Sequence, residues 1–140
     1  MAAAGKCSPV GILIWKSKYG LESPAYAQLG AEMLKIYRSR YSDRPEVAKA
    51  VVEQGLREFM AGSCSLCKGA REVLHSQLMV TCPDCHGSGI RRFGDSERAV
   101  SMQISWGLTK KLGHKIVWVI GYLTAQDRAV NSQMSEQLER

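Results

Sequence analysis

Cys64-Ser-Leu-Cys67-Lys-Gly69 and, further on, Cys82-Pro-Asp-Cys85-His-Gly87-Ser-Gly89 organise this chain. Fourteen residues, Lys68 to Thr81, separate the two Cys-x-x-Cys hooks, which hold four of the five cysteines. A Cys-x-x-Cys turn aims two thiolates at one point about 2.3 Å from each sulfur, and two such turns complete the tetrahedron a structural zinc prefers. The pattern therefore predicts one closed structural Zn2+ site with Cys64, Cys67, Cys82 and Cys85 as ligands. Glycines after each hook fit it, because the chain must turn back under the metal and Gly accepts the positive φ this needs. A closed four-thiolate site has no open position with which to activate water. Redox use would want one exposed thiol of low pKa, and two equivalent hooks argue against that. His75 and His86 lie nearby, but four well-spaced cysteines leave them no place as ligands. Cys7 reads as a small buried residue.

Between the hooks, Glu72 to Thr81 alternates weakly in hydropathy, which fits a hairpin of zinc-ribbon type better than a helix. Upstream, three helix starts are legible. Ser8-Pro9 opens an apolar helix that Gly20 stops, and Ser23-Pro24 opens an amphipathic one to about Arg40. Ser42-Asp43-Arg44-Pro45 caps a third, with Val47, Val51, Leu56 and Phe59 at helical spacing and Gly62 as its stop. Downstream, Asp95-Ser96 can cap a helix through Gln103, with Glu97 in its first turn. A turn from Ile104 to Leu108 follows, then one long helix from about Thr109 to Glu139, with a bend near Gly121. The expected fold is mainly α: a helical domain (1–63) interrupted by a small four-cysteine zinc-binding hairpin (64–90), then a helix-turn-helix-like pair with a long C-terminal helix (91–140). These parts form one compact domain, in which the zinc holds the leading helices and the basic pair in fixed relation.

The chain has 140 residues, 45% of them hydrophobic, enough for an ordinary core. Lys and Arg outnumber Asp and Glu by 19 to 13, a net charge of +6 that favours polyanionic partners. The excess is densest from Cys64 to Lys115, where eight basic residues face four acidic ones. Candidate DNA contacts there are Arg91, Arg92, Arg98, Lys110, Lys111, His114 and Lys115. A helix start bearing lysines and a histidine suits phosphate, as in a helix-turn-helix on duplex DNA. The start of the chain lacks the pattern of an export signal, and the longest apolar run, Ile116 to Leu123, is too short to span a bilayer, so a cytoplasmic protein is expected. There is no Walker-type phosphate loop, no His-Glu-x-x-His motif and no nucleophile with an evident base, which argues against an enzyme and against a small-molecule substrate.

The order of parts resembles the late-gene antitermination protein Q family of lambdoid phages. Leading helices are followed by a Cys-x-x-Cys-x-Gly hook, then Cys82-Pro-Asp-Cys-His-Gly-Ser-Gly-Ile90, Arg91-Arg-Phe93 and Arg98-Ala-Val-Ser-Met102 ahead of a long final helix. The likeness runs from about Ser8 to the end, and the second hook combined with Arg98 to Met102 is its most specific part. It implies a DNA-binding regulator in the bacterial host cell that recognises double-stranded DNA at a phage late promoter. There it would engage RNA polymerase paused with sigma factor and make it terminator-resistant. By position, the four cysteines are the zinc ligands, and the helices from Ser96 and from about Thr109 are the DNA-binding pair. The first hook departs from the fuller pattern, with Ala70-Arg71 where the second has Ser88-Gly89. The cysteine-rich domain of DnaJ-type chaperones has similar hooks and would imply client binding or thiol exchange, but it carries four and accompanies a J domain. A third reading is a polymerase-binding protein without DNA affinity of its own.

Overall fold

The computed structural model describes residues 9–19 and 23–138. Ser8 and Gly20, expected to bound the first helix, Cys7, and the expected last helical residue Glu139 lie outside them. The described residues form five helices, α1 (Pro9–Tyr19), α2 (Ser23–Arg40), α3 (Pro45–Met60), α4 (Asp95–Met102) and α5 (Trp106–Leu138). Strands β1 (Glu72–His75) and β2 (Leu78–Thr81) make one antiparallel hairpin between α3 and α4, pairing Glu72 with Thr81 and His75 with Leu78. The mainly helical fold with its four-cysteine hairpin and closing helical pair is the one expected.

The core follows from helical spacing. Leu29, Met33 and Tyr37 recur every fourth residue on α2, and Leu112, Ile116, Val119 and Leu123 run at three-four spacing on α5. With Val10 and Ile14 of α1 and Val51, Val52, Leu56 and Phe59 of α3, they form one buried cluster. No residue from 64 to 90 belongs to it. The metal hairpin is thus not the spacer that holds the leading helices to the basic pair, because α5 packs on α1 and α3 directly. Its two ends meet instead: Ser63 bridges to Ile90, and the Arg91 amide donates to the Gly62 carbonyl at 3.2 Å. The hairpin leaves the bundle and returns through one neck.

The α3–α5 crossing is set by Gly55. A Cβ there would lie 2.8 Å from Val119 Cβ and closer still to Cγ1, atoms of a stiff β-branched side chain. Ala is favoured over Gly in a helix by about 1 kcal/mol. Overpacking costs about 1–3 kcal/mol, and here it falls on two helix backbones that cannot yield separately. Gly55→Ala is therefore expected to lower stability on balance, read as a reduced urea midpoint with unchanged slope.

Three helix starts differ from expectation. The residue before α3 is Arg44, which makes no capping side-chain bond, so Pro45 at the first turn starts the helix. Asp43 is taken elsewhere: its carboxylate accepts Lys115 Nζ at 2.7 and 2.9 Å and the Tyr37 hydroxyl. These partners outweigh its partial burial, which acts the other way, and hold Asp43 below the usual carboxylate range. Gly94, not Asp95-Ser96, precedes α4, and Asp95 and Glu97 sit inside its first turn. The last turn of the pair is Gln103 to Ser105, shorter than Ile104 to Leu108. Gln103 is left-handed at φ 57°, and Ser105 caps α5 by accepting the Leu108 amide on Oγ at 3.2 Å. The helix then runs unbroken through Gly121 for 33 residues, about 50 Å.

Candidate functional site

The hooks have nearly the same backbone. Lys68 and Gly69 lie at φ 54° and 88°, and His86 and Gly87 at 54° and 84°. Two residues on, Arg71 at φ 72° matches Gly89 at 77°. Arg71 therefore accepts a left-handed conformation that Gly takes without cost, which is how the first hook does without the second glycine. A side chain at Gly89 would fit more tightly, because its Cβ would stand 3.1 Å from the Gly69 carbonyl oxygen and 3.2 Å from Arg71 Cγ. The matched turns aim matched amides at sulfur: Arg71 N–H donates to Cys67 Sγ at 3.4 Å and Gly89 N–H to Cys85 Sγ at 3.3 Å.

The sulfurs of Cys64, Cys67, Cys82 and Cys85 lie within 4.8 Å of one another and are buried. Cys64 Sγ is 3.9 Å from Cys82 Sγ, and Cys67 Sγ is 3.6 Å from Cys85 Sγ. A tetrahedron with metal–sulfur bonds of about 2.3 Å has edges of about 3.8 Å, whereas a disulfide needs about 2.05 Å. The donor set fits a single tetrahedral metal ion. Burial pushes Cys82 up to about 11. At Cys85 burial acts the same way, but the Gly89 amide and the Cys67 thiol outweigh it and take the group to about 6. Thiolates already favoured by amides are better metal ligands, and protons compete with the metal as pH falls. His75 and His86 are exposed and do not join the cluster.

The candidate DNA contacts separate into two groups. Arg98 and Lys115 serve the fold. Arg98 donates from Nε and Nη2 to Glu58 at 2.8 and 2.7 Å, and Lys115 is held by Asp43 with its ammonium 4.9 Å from the Tyr41 ring centroid. A cation engaged by a buried or half-buried carboxylate is not free for phosphate, and sequence spacing gave no sign of partners this distant. Arg91 is paired with Glu97 and lies over the Phe93 ring, with its side chain still half exposed. Arg92, Lys110, Lys111 and His114 are exposed.

Because α5 begins at Trp106, Lys110 and Lys111 stand in its second turn. Trp106, Lys110, His114, Val117 and Gly121 follow each other at three or four residues and are all exposed, so they form one outward stripe. Lys110 Nζ lies 4.7 Å from the Trp106 ring centroid. Gly107 and Gly121 leave backbone open, with nothing within 4 Å of where a Cβ would be. Trp106 and Val117 were missed as surface residues, although the same three-four count that identifies Leu112, Ile116 and Val119 as core places them on the opposite face.

The molecule is thus a helical protein with a four-cysteine hairpin that could hold a metal ion and an exposed basic face on its longest helix. No protein-family model, curated protein or solved structure matches this chain. No helix among the described residues is long and apolar enough to cross a membrane.

Proposed function

We propose that this chain is a zinc-containing, DNA-binding transcription antiterminator of the phage Q type, acting without catalysis of its own. It binds duplex DNA at a late promoter and engages RNA polymerase paused there with sigma factor, which it makes terminator-resistant in the bacterial cytoplasm. The observation that carries the reading is the stripe on the first half of α5: Lys110 and His114, with Lys111 next to them, beside exposed Trp106 and Val117 and bare glycine backbone. A major groove admits a helix, phosphates take the lysines, and an apolar edge such as Val117 suits a thymine methyl. The short α4–α5 turn and the likeness of residues 82–102 to the Q family support the same reading. Zinc is the metal favoured by four thiolates in a closed tetrahedral set.

The test is a gel-shift series on late-promoter and random duplexes at several salt concentrations. Lys110→Ala with Lys111→Ala is expected to weaken binding to every duplex and to reduce the salt slope by about two. Equal affinity for specific and random DNA would remove promoter recognition from the proposal. Capture of polymerase without any duplex affinity would replace it with the polymerase-only reading.

A further inference from the structure

A cleft of about 770 Å³ lies where the cysteine hairpin's neck meets α1, α3 and α5. Its volume is in the range of clefts that hold small ligands. Thr124, Asp127, Arg128 and Asn131 turn one face of α5 into it, at spacings of three, one and three residues. Arg71, whose backbone takes the left-handed turn of the first hook, lines the cleft as well. Lys18 lies there too, but it is neutralised by Asp127 at 2.9 Å and covers the Phe59 ring at 4.6 Å. Arg71 and Arg128 have no acidic partner among the described residues, so the cleft carries a net excess of two positive charges.

Two further observations narrow what it would hold. Ser17 lines the cleft, and its hydroxyl is buried with no hydrogen-bond partner among the described residues, a state few buried polar groups are left in. The rest of the wall mixes apolar Met60 and Ile90 and the 43%-exposed Tyr26 with Ser63 and Ser88. Unpaired guanidinium groups for phosphate, unsatisfied hydroxyl chemistry and an exposed aromatic face together match a nucleotide, whose phosphate and base make those two kinds of contact.

The geometry points to this cleft as a binding site for a nucleoside phosphate, either a free nucleotide or one unit of a single-stranded nucleic acid. Arg71 and Arg128 take the phosphate, and the base lies towards Tyr26. The site is separate from the proposed duplex face, since Arg128 is about 27 Å along α5 from Lys110. It stands whether or not duplex binding is found.

The experiment uses the full metal-loaded chain, with AMP followed by calorimetry and a labelled oligothymidylate followed by anisotropy. Saturable binding of AMP alone identifies a free nucleotide as the ligand, and salt-sensitive binding of the oligonucleotide identifies a strand. In either case Arg128→Ala, an exposed helical position, should weaken binding about tenfold or more, the worth of one charged hydrogen-bonding group. Arg71→Ala should do the same, and Ser17→Ala should have a smaller effect. Lys110→Ala with Lys111→Ala should leave this binding intact while lowering duplex affinity. The inference is overturned if neither probe binds, or if Arg128→Ala binds as the natural chain does. Oligonucleotide binding lost with the two lysines and kept without Arg128 would overturn it as well.

Discussion

Removing the metal is expected to unfold residues 64–90 and leave the helical bundle standing. The hairpin's interior consists of Cys64, Cys67, Cys82 and Cys85, with Val73 packed against them. All of β2 is exposed, as are Leu66 and Leu74, so apolar burial contributes little there. A lone two-stranded hairpin is marginal at best in water. Structural zinc is worth about 10–16 kcal/mol in small zinc-folded peptides at neutral pH, far more than this hairpin's backbone bonds can supply. Cys82→Ser or a strong chelator should therefore free the amides between Ser63 and Ile90 to hydrogen exchange, while the helical circular dichroism largely persists. Elemental analysis of the purified chain should find one zinc. A hairpin still protected in metal-free protein would refute the assignment. Global collapse of the helices would refute the independence of the bundle core, which draws no residue from 64–90.

That independence was not legible in the sequence, whereas the clustering of the four cysteines was. Four cysteines at paired two-residue spacing admit few geometries, so their convergence followed from local turns alone. The helices were legible for a similar reason: proline starts at Pro9, Pro24 and Pro45 and three-four apolar spacing are local signals. What failed was long-range. Asp43 looked like a cap and is instead the shared partner of Tyr37 and Lys115, the latter 72 residues away. Arg98 looked like a DNA contact and pairs with Glu58 across 40 residues. The hairpin turn was also hidden, because Ser76 and Gln77 both take positive φ, at 49° and 67°, in a two-residue turn that usually favours Asn-Gly. Charge at these positions was read correctly; its destination depends on which helices meet, and no single stretch encodes that.

The pairing of Glu58 with Arg98 has the largest expected effect of any single side chain outside the metal site. Helix α4 is eight residues long and buries none of them fully, and Met102 is its one side chain packed on the hydrophobic core. Its polar ties are Arg98, which reaches Glu58 with two bonds, and Arg57, which donates to the Ser101 hydroxyl. The Glu58 side chain is only 3% exposed and that of Arg98 12%, and Gln54 donates to the same carboxylate at 2.9 Å. Breaking a buried pair by removing one partner costs about 3–5 kcal/mol, because the remaining charge is left desolvated. Glu58→Ala should thus lower stability by about that amount, with α4 amides losing protection before those of α3 or α5. Arg98→Ala should cost a comparable amount, as Glu58 then keeps only Gln54. Replacing both by Leu and Met should recover much of the loss, since an apolar pair of similar volume carries no desolvation penalty. If the double variant is instead as unstable as the sum of the singles, the pair is not coupled and α4 is held by something else. Because α4 leads through the three-residue turn 103–105 into α5, its release should also weaken the proposed duplex binding at Lys110 and Lys111, with those lysines unchanged.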